Sequence, residues 1–451
     1  MSAMKSVAVS QPVRPRMPGY AQLLLFFFPL AVSSSLMTLE PLIINSAISR
    51  GPSAELQLAA FNVMFAVALV IEAPVLMLLS VSTALAQTQA SVRRLLQFTV
   101  VLAGTVVTIG LVISLTPLYG WLLVDLMNIP PEVAAAARPA QAIMALWPLP
   151  IAWRRTLQGV LIAHDRTPVV TAATVARILA LAVTLAVGSA IAPNRMLTIS
   201  AIAMQIAVLA ESLVITGPAL AVVRQLPSSA GEPVFSWRWL AGYYQPLAVM
   251  TLMRQVSRPL MNAGIAAALL PQRSLAAWSI AWSFSMLPFG VTLGLEQVAI
   301  AKGRTPPSLA QVRRFVWGTG LFLSALLVLV AYTPLVHPTL RVLFNMPADI
   351  EPMVVVALRW TAALPLIQSL QALWRGTAIG QERTQDARTA MLIALGGVAL
   401  VVLVGPRVGS LSGVAIGSIA TMLSALVEAV WLAWREQRAN RSGRLAKSLA
   451  T

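Results

Sequence analysis

Long apolar runs separated by short polar breaks fill the chain, and the runs are of the length a bilayer imposes. A membrane-spanning helix needs roughly 20 consecutive apolar residues. Runs near 20–46, 55–83, 95–117, 133–163, 168–190, 198–223, 239–265, 274–301, 314–335, 350–380, 385–404 and 410–435 meet that demand and predict twelve spans. The fourth and tenth runs, roughly 30 residues and so about 45 Å as helix, must tilt or protrude. Prolines inside the runs, Pro41, Pro74, Pro259 and Pro288, each free a backbone carbonyl that can line a cavity or permit bending. Residues 1–18, with Lys5, Arg14 and Arg16, predict a disordered basic tail. The first run is too long for a signal peptide core and is read as a permanent span.

The second half repeats the first with an offset of 217 residues. Pro29–Val32 recurs as Pro246–Val249, Asn45 as Asn262, and Leu58–Phe61 as Leu275–Trp278. Thr116–Leu118 matches Thr333–Leu335, Asn128–Pro130 matches Asn345–Pro347, and Gly159–Ile162 matches Gly376–Ile379. Arg166–Thr167 returns as Arg383–Thr384, and Glu211 as Glu428. Chance matches of alanine and leucine are cheap in such a composition, but uncommon residues holding one register are not. A unit of six helices ends on the side where it began, so its copies insert in one orientation, related by an axis along the membrane normal. The expected fold is therefore all-α and polytopic, with about twelve transmembrane helices in two six-helix lobes about a pseudo-two-fold axis. The boundaries read as a tail at 1–18, an N-lobe at 19–226, a cytoplasmic linker at 227–238, a C-lobe at 239–436 and a basic tail at 437–451.

Composition agrees with this class and removes others. The 451 residues are 58% hydrophobic and only 10% charged, with a mean hydropathy of +0.80, which leaves no soluble domain of useful size. Zero cysteine excludes disulfides, thiolate metal sites and a thiol nucleophile, and His164 and His337 are too far apart to suggest a histidine metal site. The net charge of +17 would suggest nucleic acid in a soluble protein. Here it reads as topology, and no nucleic-acid partner is expected. The odd-numbered connections hold only Arg50, Arg195, Arg273, Arg341 and Arg407, whereas the termini and even-numbered connections hold most of the rest. The positive-inside rule then places both termini in the cytoplasm.

What topology does not explain is a set of arginines at membrane depth: Arg138, Arg154, Arg155, Arg177, Arg254, Arg258, Arg359 and Arg375. A guanidinium near the bilayer centre costs about 2.5–3.5 kcal/mol, so it implies a polar cavity or a paired carboxylate. Arg254 and Arg258 lie one turn apart on the seventh run, and their planar forks suit phosphate or carboxylate; interhelical staples are the alternative. Arg154, Arg155 and Arg375 either extend a basic path or snorkel to an interface, while Arg177 is mid-way along its run. Arg138 and Arg359, near helix ends, are read as snorkelling. Among the acids, Glu72 and Glu296 are candidate coupling sites, because a desolvated carboxylate is a natural carrier of a proton. The alternative for both is partnership with an arginine. Glu211 and Glu428 repeat each other and are read as scaffold. Asn45 and Asn262 are either polar glue between helices or cleft-lining groups. No P-loop, dinucleotide fingerprint or HExxH motif is present, so the chain is not expected to be an enzyme or to need a cofactor.

The segment Pro246–Asn262, with S-R-P-L-x-N at Ser257–Asn262 following P-L-A, resembles the start of the second half of the progressive ankylosis protein family. The G-x-x-I-x-x-x-R-T endings of the fourth and tenth runs resemble the wider multidrug, oligosaccharidyl-lipid and polysaccharide exporter (MOP) superfamily. The resemblance implies a MATE-like exporter linked to pyrophosphate, citrate or nucleotide efflux. Arg258 matches the family's arginine, and Glu40 matches a first-helix glutamate followed closely by asparagine. Glu40 and Arg258 are nearly repeat-equivalent, which suggests a pair that closes the outer mouth until an anion competes for the arginine. The absence of cysteine and the basic C-terminal tail point to a bacterial relative in the cytoplasmic membrane.

The leading expectation is an alternating-access exporter of a small multivalent anion through an arginine-lined cleft between the lobes. It would work as a monomer in the bilayer, with a proton or sodium as candidate coupling ion. A flippase for a lipid-linked saccharide pyrophosphate, an ion-coupled multidrug antiporter using Glu40 or Glu72, and a membrane assembly factor are the alternatives.

Overall fold

A computed structural model describes residues 19–37, 40–49, 54–127, 129–228, 235–269, 271–303, 305–344, 351–408 and 411–449. The tail before Gly19, most of the linker, Asn128 and Asn345–Pro347 lie outside these residues, as do the side chains of Arg258 and Asn262.

Twelve helical crossings follow the apolar runs. We number them α1 (Tyr20–Met37 and Glu40–Ser49), α2 (Leu56–Leu85), α3 (Gln89–Leu115), α4 (Pro131–Met144 and Pro148–Ala163), α5 (Thr167–Ile191) and α6 (Met196–Gln225) in the first lobe. The second lobe holds α7 (Trp237–Ala266), α8 (Pro271–Lys302), α9 (Pro306–Tyr332), α10 (Glu351–Thr361 and Leu364–Gly380), α11 (Thr384–Val404) and α12 (Gly413–Leu449). Among the described residues, eight helices are long and apolar enough to span a bilayer unaided, or nine with the bent α10. With 30 and 32 residues, α7 and α8 have the length. Their polar content is that of helices facing a polar interior.

The repeat seen in the sequence is reproduced in local detail. Thr88 opens α3 with a capping box closed by Ser91, and Thr305 opens α9 with the same box closed by Ser308. Each box satisfies two amide donors at a helix start. Asp165 and Glu382, one repeat apart, both take a φ of 61° in the turns after α4 and α10. Gly159 and Gly376 are repeat-equivalent as well. A Cβ at Gly159 would lie 2.6 Å from the Leu79 carbonyl, and one at Gly376 would lie 2.6 Å from the Glu296 carbonyl. Glycine thus lets α4 approach α2, and α10 approach α8, backbone to backbone.

Near the pseudo-two-fold axis, equivalent positions meet. Ser80 on α2 and Gln297 on α8 are 217 residues apart and hydrogen-bonded across the lobe boundary at 3.2 Å. Around them, Tyr20 and Phe27 of α1 set edges against Phe315 of α9 at 5.3 and 5.4 Å. Phe98 of α3 meets Tyr244 of α7 at 5.0 Å. Tyr244 donates to the Pro74 carbonyl, and Lys302 at the end of α8 pairs with Asp165. These contacts belong to the half of the molecule that holds the basic turns, and they close the lobes against each other there.

Candidate functional site

Each lobe encloses a polar core on matching repeat positions. In the N-lobe it is a chain of buried ion pairs. Arg177 of α5 donates to Glu40 of α1 (2.5 Å) and to Glu211 of α6 (3.2 Å). Arg154 of α4 donates to the other oxygen of Glu211 at 2.9 Å. Thr174 adds a bond to Glu211 at 3.4 Å and meets Ser33 of α1 at 2.5 Å. Four helices are tied by one network whose charged members are buried. Burial is tolerable because each guanidinium meets a carboxylate.

Glu72 sits close by, buried, with Arg155, Arg154 and Arg177 as the surrounding cations. Glu72 Oε2, Glu40 Oε1, Asn45 Oδ1 and Arg155 Nε are buried without a hydrogen-bond partner among the described residues. Arg154 does not snorkel: only 1% of it is exposed. Glu40 accepts from Arg177; its expected pairing with Arg258 falls on a side chain outside the described residues.

The C-lobe keeps the scaffold and loses the filling. Gln371 occupies the repeat position of Arg154 and donates to Glu428 at 2.8 Å, as Arg154 donates to Glu211. The arginine itself is displaced one turn, to Arg375, which pairs with Glu428 and, at 3.4 Å, with Glu296 of α8. Where the N-lobe has Arg177, Glu40 and Glu72, the C-lobe has Ala394, Ser257 and Phe289. Exchanging long charged chains for small ones at two of the three positions removes volume from a core held apart by its other contacts. A cavity of about 140 Å³ opens there among α7, α8, α10, α11 and α12, with Arg254, Glu296, Gln371, Arg375 and Glu428 in its polar wall and Ser257 and Phe289 among its lining.

The expected arginine-lined cleft between the lobes thus takes another form. Arg154 and Arg177 are held by carboxylates inside the N-lobe, and the paired arginines that border open space, Arg254 and Arg375, do so inside the C-lobe. Arg138 and Arg359, read as snorkelling, bond to carbonyls at helix ends: Arg138 to Ser114, Leu115 and Thr116, Arg359 to Ala331. These carbonyls lack intrahelical partners, so a cation is stabilising there. Reading the sequence residue by residue missed Ser80, Gln297 and Gln371. Laying the two copies in register would have shown Arg154 replaced by Gln371 and Arg177 by Ala394.

The arrangement is that of the MOP superfamily fold. A MOP superfamily transporter from Pyrococcus furiosus Vc1, described as having a binding pocket of reversed polarity that suggests a different function, superposes with a TM-score of 0.74 at 16% identity, covering 93% of this chain and 96% of the other. A MATE transporter in complex with MaL6 superposes with a TM-score of 0.76 at 15% identity, over 95% and 98% of the two chains. An outward-facing multidrug resistance MATE transporter of the MOP superfamily gives 0.71 at 16% identity over 93% and 96%. No curated protein sequence matches the chain. Residues 14–308 match the family model of the progressive ankylosis protein (ANKH), and the chain belongs to that family. It is a multi-pass membrane transporter.

Proposed function

We propose that the chain is an alternating-access transporter that exports a small multivalent anion of the pyrophosphate or citrate class, with the C-lobe cavity as its binding site. The observation carrying this reading is the difference between the two polar cores. One copy is filled by its own ion pairs, while the other leaves about 140 Å³ beside Arg254 and Arg375. Two guanidinium groups suit the paired oxygens of phosphate or carboxylate. The bacterial cytoplasmic membrane, with the basic half inside, is the location that the arginine distribution favours.

The test is uptake into proteoliposomes of labelled pyrophosphate, citrate and ATP, with and without proton or sodium gradients. Saturable uptake of pyrophosphate or citrate, lost in Arg375→Gln, supports the reading. Uptake of none of the three, alongside turnover of a lipid-linked saccharide pyrophosphate, replaces it with a flippase.

A further inference from the structure

The polar wall of the C-lobe cavity continues through the lobe boundary as one directed chain of hydrogen bonds. The single proton of Thr83 Oγ1 on α2 is shared between the Leu79 carbonyl at 2.8 Å and Gln297 Oε1 of α8 at 3.0 Å, and Gln297 Nε2 donates to Ser80 Oγ at 3.2 Å. Ser80 Oγ in turn donates to Glu296 Oε1 at 3.0 Å. The other carboxylate oxygen, Oε2, accepts from Arg375 at 3.4 Å. All four members of the chain are buried. The chain passes between the lobes three times and ends on a carboxylate, whose charge polarises every bond behind it. A hydrogen bond to an ionised acceptor is roughly twice as strong as one to a neutral acceptor.

Arg375 pairs with the far oxygen of this carboxylate and orients it, and Arg375 also borders the cavity. One guanidinium therefore serves Glu296, Glu428 and the cavity at once. An anion entering the cavity competes for the same donors that hold Glu296, and repels the carboxylate as it does so. Freed from Arg375 and repelled from the cavity, Glu296 turns out of the position in which it offers Ser80 its acceptor, and the chain behind Ser80 weakens with it.

We propose that Glu296 couples occupancy of the C-lobe cavity to closure of the basic half: a multivalent anion drawn to Arg375 displaces Glu296, and the Ser80–Gln297–Thr83 latch between the lobes releases. The coupling rests on the anion reading above. It makes the empty carrier a latched one and the loaded carrier the one that reorients, so transport is anion exchange, accelerated by anion on the far side.

The absence of cysteine makes the chain a direct host for paired spin labels. Arg166→Cys and Gln385→Cys place labels on exposed positions of the basic half in opposite lobes. Pulsed electron resonance distances are then read without ligand, with inorganic pyrophosphate and with citrate, in the otherwise unchanged chain and in Ser80→Ala and Glu296→Gln. Expected is one short distance without ligand, a longer population with pyrophosphate or citrate, and that longer population already present in both variants. In Ser80→Ala the closed-to-open ratio should fall about tenfold, the scale set by one hydrogen bond to a charged group. Ser80→Ala removes a single oxygen, so it keeps the test decisive even if Glu296→Gln fails to fold. If the anions lengthen the distance but both variants stay closed without ligand, the coupling through Glu296 is overturned and the anion reading stands. If the variants open but neither anion binds or moves the unchanged chain, the anion reading falls and takes the proposed displacement with it.

Discussion

Glu211 and Glu428 stand at the same position of the two halves, and each accepts from the fourth helix of its lobe, Glu211 from α4 and Glu428 from α10. What differs is who else is present. Glu211 holds two arginines in a closed core, so Glu211→Gln strips both of their shared counter-ion and should cost about 3–5 kcal/mol, measured as thermal unfolding in detergent. In the C-lobe, Ser257 borders the cavity at the position that Glu40 holds in the N-lobe. Ser257→Glu would carry the N-lobe's carboxylate into the cavity beside Arg254 and Arg375. It should raise the half-saturating anion concentration in proteoliposome uptake by about tenfold, near 1.4 kcal/mol of lost binding.

At the scale of helices, the close approaches at Gly159 and Gly376 position both polar cores, since each glycine lies on the helix that carries Arg154 or Arg375. Gly159→Ala and Gly376→Ala each put a methyl group into a neighbouring backbone. They should destabilise the fold by about 1–3 kcal/mol apiece. Gly104→Ala on α3 meets nothing within 4 Å and should leave the unfolding temperature unchanged or slightly raised. The two capping boxes make a second matched pair: Thr88→Ala and Thr305→Ala should each lose about 1 kcal/mol. Equal losses in equivalent positions would mark the repeat as an energetic fact as well as a geometric one.

For the whole molecule, the closed basic half is the feature with a direct functional consequence. Lys302 of α8 and Asp165, in the turn after α4, join the lobes at its edge. A double Asp165→Cys/Lys302→Cys variant should lose transport when oxidised and regain it on reduction, because alternating access requires these turns to separate. Undiminished uptake by the fully cross-linked protein would rule out a rocking motion of the lobes at this end. Among known folds the arrangement is shared with MOP transporters at 15–16% identity.

Local rules were enough to read the twelve crossings, the two copies and the presence of a polar interior, because hydropathy per span, an offset between uncommon residues and the cost of a buried guanidinium are all properties of residues taken in order. The partnerships were not legible. Glu40 and Arg177 are 137 residues apart, and which carboxylate meets which arginine depends on the rotation of α1 against α5, a quantity that packing of the whole lobe decides. The cavity was invisible for a related reason: it is a difference in filled volume between two copies of one scaffold, and volume exists only once the surrounding helices hold their places. Sequence alone determined that charge must be sheltered in this membrane protein, and tertiary structure decided that one lobe shelters it with its own ion pairs while the other leaves room.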